Sequence, residues 1–196
     1  MSAGFYGKLP SEGDFVTRRL PWEFTSAWDD WLQQGMQASR EALGAAWLER
    51  YLSAPIWRFQ LAPGVCGPAG WRGLFFASVD RVGRYFPLTL AFADGSGPAL
   101  AALRDDDWLA IEDAALAGLS PTLPIDEFDR AVAALAPPAG VPTPADAAAR
   151  PRACFYTAAT QDAPARDLTF AALPPPASFV EMIAPPALSG SLVDLL

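Results

Sequence analysis

The chain has 196 residues, a formal charge of −8, no histidine, and 52% apolar residues that include seven Trp and twelve Phe. That apolar content fills the core of one domain, while the acidic balance repels a phosphate backbone and argues against nucleic acid as a partner. Without histidine the chain cannot assemble a Ser-His-Asp or Cys-His relay, a His-ligated zinc, or an imidazole base near neutral pH.

No apolar run reaches the roughly 18 residues a spanning helix needs. The start MSAGFYGKLPSEGD has neither the basic nor the apolar region of a secretory leader. A cytoplasmic protein without membrane insertion is the expectation. Cys66 and Cys154 show no CxxC spacing and read as small apolar residues.

In chain order, GFYGKL reads as a short strand ending at Pro10, with SEGD as its turn. From Pro21 the period changes. Phe24, Trp28, Trp31 and Leu32 fall on one helical stripe, and Leu43, Trp47 and Tyr51 form a second. Gly35 marks a kink between the two stripes, and Pro55 stops the helix. The runs 56–62 (IWRFQLA), 73–79 (GLFFASV) and 84–92 (RYFPLTLAF) have strand length, and the last two are close enough in sequence to form an antiparallel hairpin with its tip at Asp80–Arg84. Pro87 cannot donate to a ladder, which predicts an edge strand or a bulge there.

Helix returns after Gly97-Pro98, restarting at the aspartates and ending near Gly118; Ile125, Phe128, Val132 and Leu135 predict another short helix. The Pro/Ala-rich stretch at about 136–151 reads as a mobile loop within a single domain spanning 1–196. ACFYTAA is a strand, and PPASFVEMIA is strand or helix, with Phe179, Met182 and Ile183 favouring helix. The fold expected is α/β: a layered sandwich whose mixed, partly antiparallel sheet is covered by helices on both faces.

GFYGKLPSEGD borrows the letters of a phosphate loop, but Lys8 is followed by Leu9 and Pro10, so neither GxxxxGK[ST] nor GxGxxG is present. The stretch is either a turn whose Glu12 or Asp14 caps local backbone, or a recognition surface built from Lys8, Asp14 and Arg18. Asp80, Arg81 and Arg84 share one hairpin tip, where charges are either solvated or form a directional binding surface or buried network. Asp105, Asp106 and Asp107 are consecutive on a helix, about 100° apart, so they suit a helix start better than a cation; the same geometry argues against Asp29 and Asp30. No metal site and no cofactor loop is expected. The tryptophans of the first helix read as core.

GFYGKLPSEGDFV, the following helix with WDDWL, SREALG, YLSAPIWRFQL and SVDRVGRYFPLTLAF closely resemble the TagF (ImpM) family of type VI secretion accessory proteins. The likeness is dense from Gly4 to Phe92, looser at FYTAA and LPPPASFVEMI, and absent from Ala136 to Arg150. Gly7, Lys8, Pro10, Gly13, Asp14 and Phe15 match one signature; Ser78, Asp80, Arg81, Gly83, Arg84, Phe86 and Pro87 match the other. The resemblance implies a cytoplasmic, non-enzymatic α/β sandwich that acts as a repressor. It restrains assembly or firing of the secretion machine after translation by binding a forkhead-associated scaffold protein, in opposition to a kinase-dependent activation route. Some relatives carry a fused phosphatase domain, which this chain is too short to hold. The charged signature residues, Asp14, Asp80 and Arg84 above all, either tie the two signatures together through buried hydrogen bonds or face a partner. A structural component of the machine and a carboxylate-based hydrolase are the competing readings.

Overall fold

The strand-length runs pair into one sheet in the computed structural model, which describes residues 2–94, 102–103, 106–138, 140–141, 152–161 and 163–184. The strands are β1 (Gly4–Gly7), β2 (Val16–Arg18), β3 (Trp57–Leu61), β4 (Gly70–Phe76), β5 (Leu88–Asp94), β6 (Ala102–Leu103), β7 (Gly140–Val141), β8 (Ala153–Thr157) and β9 (Arg166–Phe170). Seven of them form the sheet in the order β2-β1-β5-β4-β3-β8-β9, while β6 and β7 pair with each other. Every pairing in the large sheet is antiparallel.

Helices α1 (Trp22–Leu43), α2 (Trp47–Leu52) and α5 (Pro176–Ile183) cover one face, and α3 (Asp106–Ala117) and α4 (Ile125–Ala133) the other. The period of two decides which residue goes where. Trp57, Phe59 and Leu61 of β3, Trp71 and Phe75 of β4 and Phe155 of β8 meet Phe24, Trp28, Trp31 and Phe179 from the helices. Their alternates Leu74, Phe76, Leu88, Leu90 and Phe92 meet Trp108, Ile111, Phe128 and Val132. Buried indoles need a partner for their single N–H. Trp28 donates to the Thr89 hydroxyl at 2.9 Å, Trp31 to the Pro174 carbonyl at 2.9 Å, and Trp57 to the Met182 carbonyl at 3.1 Å.

Local expectations fail at two positions. The first helix runs unbroken through Gly35, because that glycine makes room for a neighbour: an added Cβ would stand 2.6 Å from Cγ of Phe179 on α5. The break comes instead at Gly44, which opens a single 3-10 turn before α2. Pro87 lies on no edge, since β5 is flanked by β1 and β4. It lies just before β5: Phe86 donates to the Ser78 carbonyl, so the nitrogen of Pro87 faces away from β4, and the β1 pairing ends at Tyr6–Thr89, so its missing N–H removes no ladder bond.

Residues 102–103 are strand, and α3 begins at Asp106. Gly97, Pro98, Asp105 and most of the expected loop at 136–151 (139 and 142–151) lie outside the described residues.

Candidate functional site: the junction of the two signatures

Strand β1 must pass close to the start of β5, and Gly7 permits it. Its φ is +134°, and a Cβ there would meet the Pro87 carbonyl oxygen at 2.1 Å, so only glycine fits. The next residue, Lys8, turns its whole side chain inward. At the hairpin tip Gly83 takes φ +86°, and the Asp80 carbonyl accepts its amide at 3.0 Å. The turn thereby folds back over the carboxylate of Asp80.

That carboxylate is the hub. Oδ2 accepts from Lys8 Nζ at 2.5 Å and from Arg84 Nε at 2.6 Å; Oδ1 accepts from the amides of Val82 at 3.0 Å and Arg84 at 2.9 Å. The side chains of Lys8 and Asp80 are both buried. Burial alone raises a carboxyl pKa, but four donors aimed at the anion overcome it and hold Asp80 well below the usual carboxylate range. Lys8 is the chain's only lysine, and its cationic tip is committed to this buried carboxylate.

Other bonds close the same junction. Ser78 Oγ donates to the Lys8 carbonyl at 2.7 Å, and the Arg81 amide donates to the Glu12 carbonyl at 2.8 Å. Tyr51 of α2 donates to the Ser78 carbonyl and accepts from the Ser78 amide, both at 3.0 Å. Arg84 Nη2 donates to the Gly13 carbonyl and lies 3.4 Å from the exposed Asp14 carboxylate. These bonds tie together two loops about seventy residues apart.

Its outer surface is partly apolar. Phe15 is 48% exposed and Val82 67% exposed. Phe15 stacks on Tyr6 at 5.9 Å, meets Phe86 edge-on at 4.8 Å, and carries the Lys8 ammonium over its ring at 4.8 Å. Between this surface and α1 runs an open groove of about 530 Å³, walled by Lys8, Phe15, Gln33, Arg40, Arg84 and Tyr85. Arg40 is held over the Trp47 ring at 4.5 Å. Among the described residues no acid lines this groove, and none of them forms a three-residue His/Cys/Asp/Glu cluster able to hold a metal. A pair of catalytic carboxylates has no seat in it.

Of the six charged residues singled out in the sequence, the structure gathers Lys8, Asp80 and Arg84 into the hub and sets Asp14 at its rim. Arg81 joins through its backbone while its side chain stays exposed. Arg18 takes no part: it lies exposed on β2, and its guanidinium donates to the adjacent Thr17 carbonyl. Sequence reasoning placed Tyr51 on a helical stripe without foreseeing its bonds to Ser78, and it missed Arg40; neither helical position gives a local sign that it faces the hairpin. It also missed Arg19, the one described non-glycine residue at positive φ, which donates to the Ala3 carbonyl at 2.6 Å and pairs with Asp129 of α4 at 2.6 Å.

A family model for the TagF N-terminal domain, described as type VI secretion system-associated, matches residues 4–135. The chain belongs to the TagF family. Its TagF match runs past β5 to the end of α4, well beyond the two signatures, and stops where the Pro/Ala-rich stretch begins. The structure is similar to the crystal structure of PA0076 from Pseudomonas aeruginosa PAO1, with 35% sequence identity and a TM-score of 0.78 over 93% of this chain and 94% of that one. No curated protein matches the chain significantly. Among the described residues no helix is long and apolar enough to cross a membrane.

Proposed function

We propose that this chain is a cytoplasmic, non-enzymatic negative regulator of a type VI secretion system, acting after translation by binding a forkhead-associated scaffold protein and restraining assembly or firing. The observation that carries this reading is the use made of the charged signature residues. The buried ones are consumed in fixing two loops together, and the same two loops leave Phe15, Val82, Arg81 and Arg84 exposed, with Phe15 and Arg84 lining one groove. A rigid face of aromatic, aliphatic and arginine side chains is what protein recognition uses. The sequence has no histidine, and among the described residues no acid lines the groove, which weighs against the hydrolase reading.

Two experiments test it. Mixed with the co-encoded forkhead-associated protein, the purified chain should comigrate on gel filtration at tens of micromolar; two independent peaks would count against binding. Deleting the gene should raise secretion. Loss of secretion on deletion would instead make the chain a structural part of the machine.

A further inference from the structure

The groove beside the hub is cationic in a chain whose formal charge is −8. Its three cations are not equally engaged. Lys8 is buried against Asp80. Arg84 gives Nε to Asp80 and Nη2 to the Gly13 carbonyl, and it touches the freely exposed Asp14 carboxylate only at 3.4 Å. Arg40 is exposed and rests on the Trp47 ring, and its guanidinium makes no hydrogen bond or ion pair with any described residue.

We propose that this groove receives an acidic side chain from a carboxylate-rich segment of a partner protein, held between the Arg40 and Arg84 guanidiniums with a flanking apolar residue against Phe15. Planar guanidiniums bind carboxylates through paired hydrogen bonds. A cationic recess on an acidic surface selects locally for negative charge while the surrounding field rejects most other acidic surface. Asp14 shows what Arg84 takes: its loose contact is an intramolecular stand-in, which the incoming carboxylate displaces. The half-exposed Phe15 ring beside the cations supplies the apolar contact and limits water access. The inference rests on the reading of this chain as a binding module and adds the chemistry of what is bound.

The single lysine makes the test local. Protein labelled with 13C at lysine Cε gives one side-chain signal, from a residue in the groove wall. It is titrated with the peptide Glu-Glu-Phe-Glu-Glu, with Gln-Gln-Phe-Gln-Gln, and with inorganic phosphate. A saturable shift is expected with the acidic peptide alone, weakened at least about tenfold by Arg40→Glu and by high salt, and tightened about twofold by Asp14→Ala, which removes the competitor. No shift with the acidic peptide, an equal shift with the glutamine peptide or with phosphate, or an unchanged affinity in Arg40→Glu overturns the proposal. Arg40→Glu is then mixed with the forkhead-associated protein. If the wild-type chain binds that protein and Arg40→Glu binds it equally, the groove assignment fails and the regulatory reading stands. If the wild-type chain does not bind it while the lysine signal answers the acidic peptide, the regulatory reading fails and the groove assignment stands.

Discussion

Lys8 Nζ lies 2.5 Å from Asp80 Oδ2, with both side chains out of solvent, and this one pair joins the first strand's exit to the central hairpin. Replacing one partner leaves the other's charge buried and under-satisfied, while removing both does not. Lys8→Met is therefore expected to lower Tm by about 10 °C. Adding Asp80→Asn to Lys8→Met should cost less than the two single losses summed. Strictly additive losses in urea unfolding would show that the pair is not coupled.

The depressed pKa of Asp80 fixes the direction of a pH effect. A carboxyl that titrates lower in the folded than in the unfolded chain contributes stability that is complete above the unfolded pKa. That contribution drains away as pH falls toward the folded value. Wild type should lose stability relative to Asp80→Asn between about pH 5 and pH 2, and the gap between them should be constant from about pH 6 to 8. A gap that widens on acidification would contradict the hub's electrostatics.

How much of this was legible in the sequence depends on the range of the interaction that decides each feature. The hairpin of β4 and β5 was readable because strand-length apolar runs, a short linker and Gly83 are all local. Strands β2 and β9 were not: VTR is too short to show a period, and RDLTF carries two charges over five residues. Gly35 was misread for the same reason. Local propensity sees a helix breaker, whereas the structure sees a gap that Phe179 fills from a segment more than a hundred residues later. The hub itself was half readable. Signature resemblance pointed to Lys8, Asp14, Asp80 and Arg84, but whether they were buried or exposed is a matter of tertiary packing, and the answer differs among them.

Gly35 offers a test in which two effects oppose. Alanine in place of glycine favours a helix by about 1 kcal/mol, but the new Cβ would lie 2.6 Å from Cγ and 2.8 Å from Cβ of Phe179, near the root of that side chain, where yielding is difficult. Overpacking of this kind costs about 1–3 kcal/mol, so Gly35→Ala is expected to destabilise by about 1 kcal/mol net. Pairing it with Phe179→Leu should recover part of what each change loses alone. A Gly35→Ala protein that is more stable than wild type would mean that α5 moves aside freely.

The cysteines should be inert. Burial pushes the Cys66 thiol up to about 12, and burial with the nearby Asp167 charge pushes Cys154 up to about 11. At pH 8 only about one Cys154 in a thousand is thiolate, the form that reacts. Ellman's reagent should therefore modify neither residue in the native protein within minutes and both after unfolding in guanidinium. Rapid release of one equivalent from native protein would expose a reactive thiol and reopen a redox role.

The exposed face can be separated from the hub beneath it. Val82 is 67% exposed at the hairpin tip, and only its backbone amide serves the Asp80 carboxylate. Val82→Asp thus keeps that hydrogen bond and places a charge where the side chain meets solvent, so Tm should change by no more than about 2 °C. If the face binds the forkhead-associated protein, the same substitution buries an unpaired carboxylate at the contact and lowers affinity by at least about tenfold. Lys8→Met should weaken binding as well, but only together with a fall in Tm, because it acts through loop geometry. Titration calorimetry and thermal melts on both variants distinguish the two effects: a Val82→Asp chain that binds at wild-type strength removes the hairpin tip from the interface, whatever Lys8→Met does.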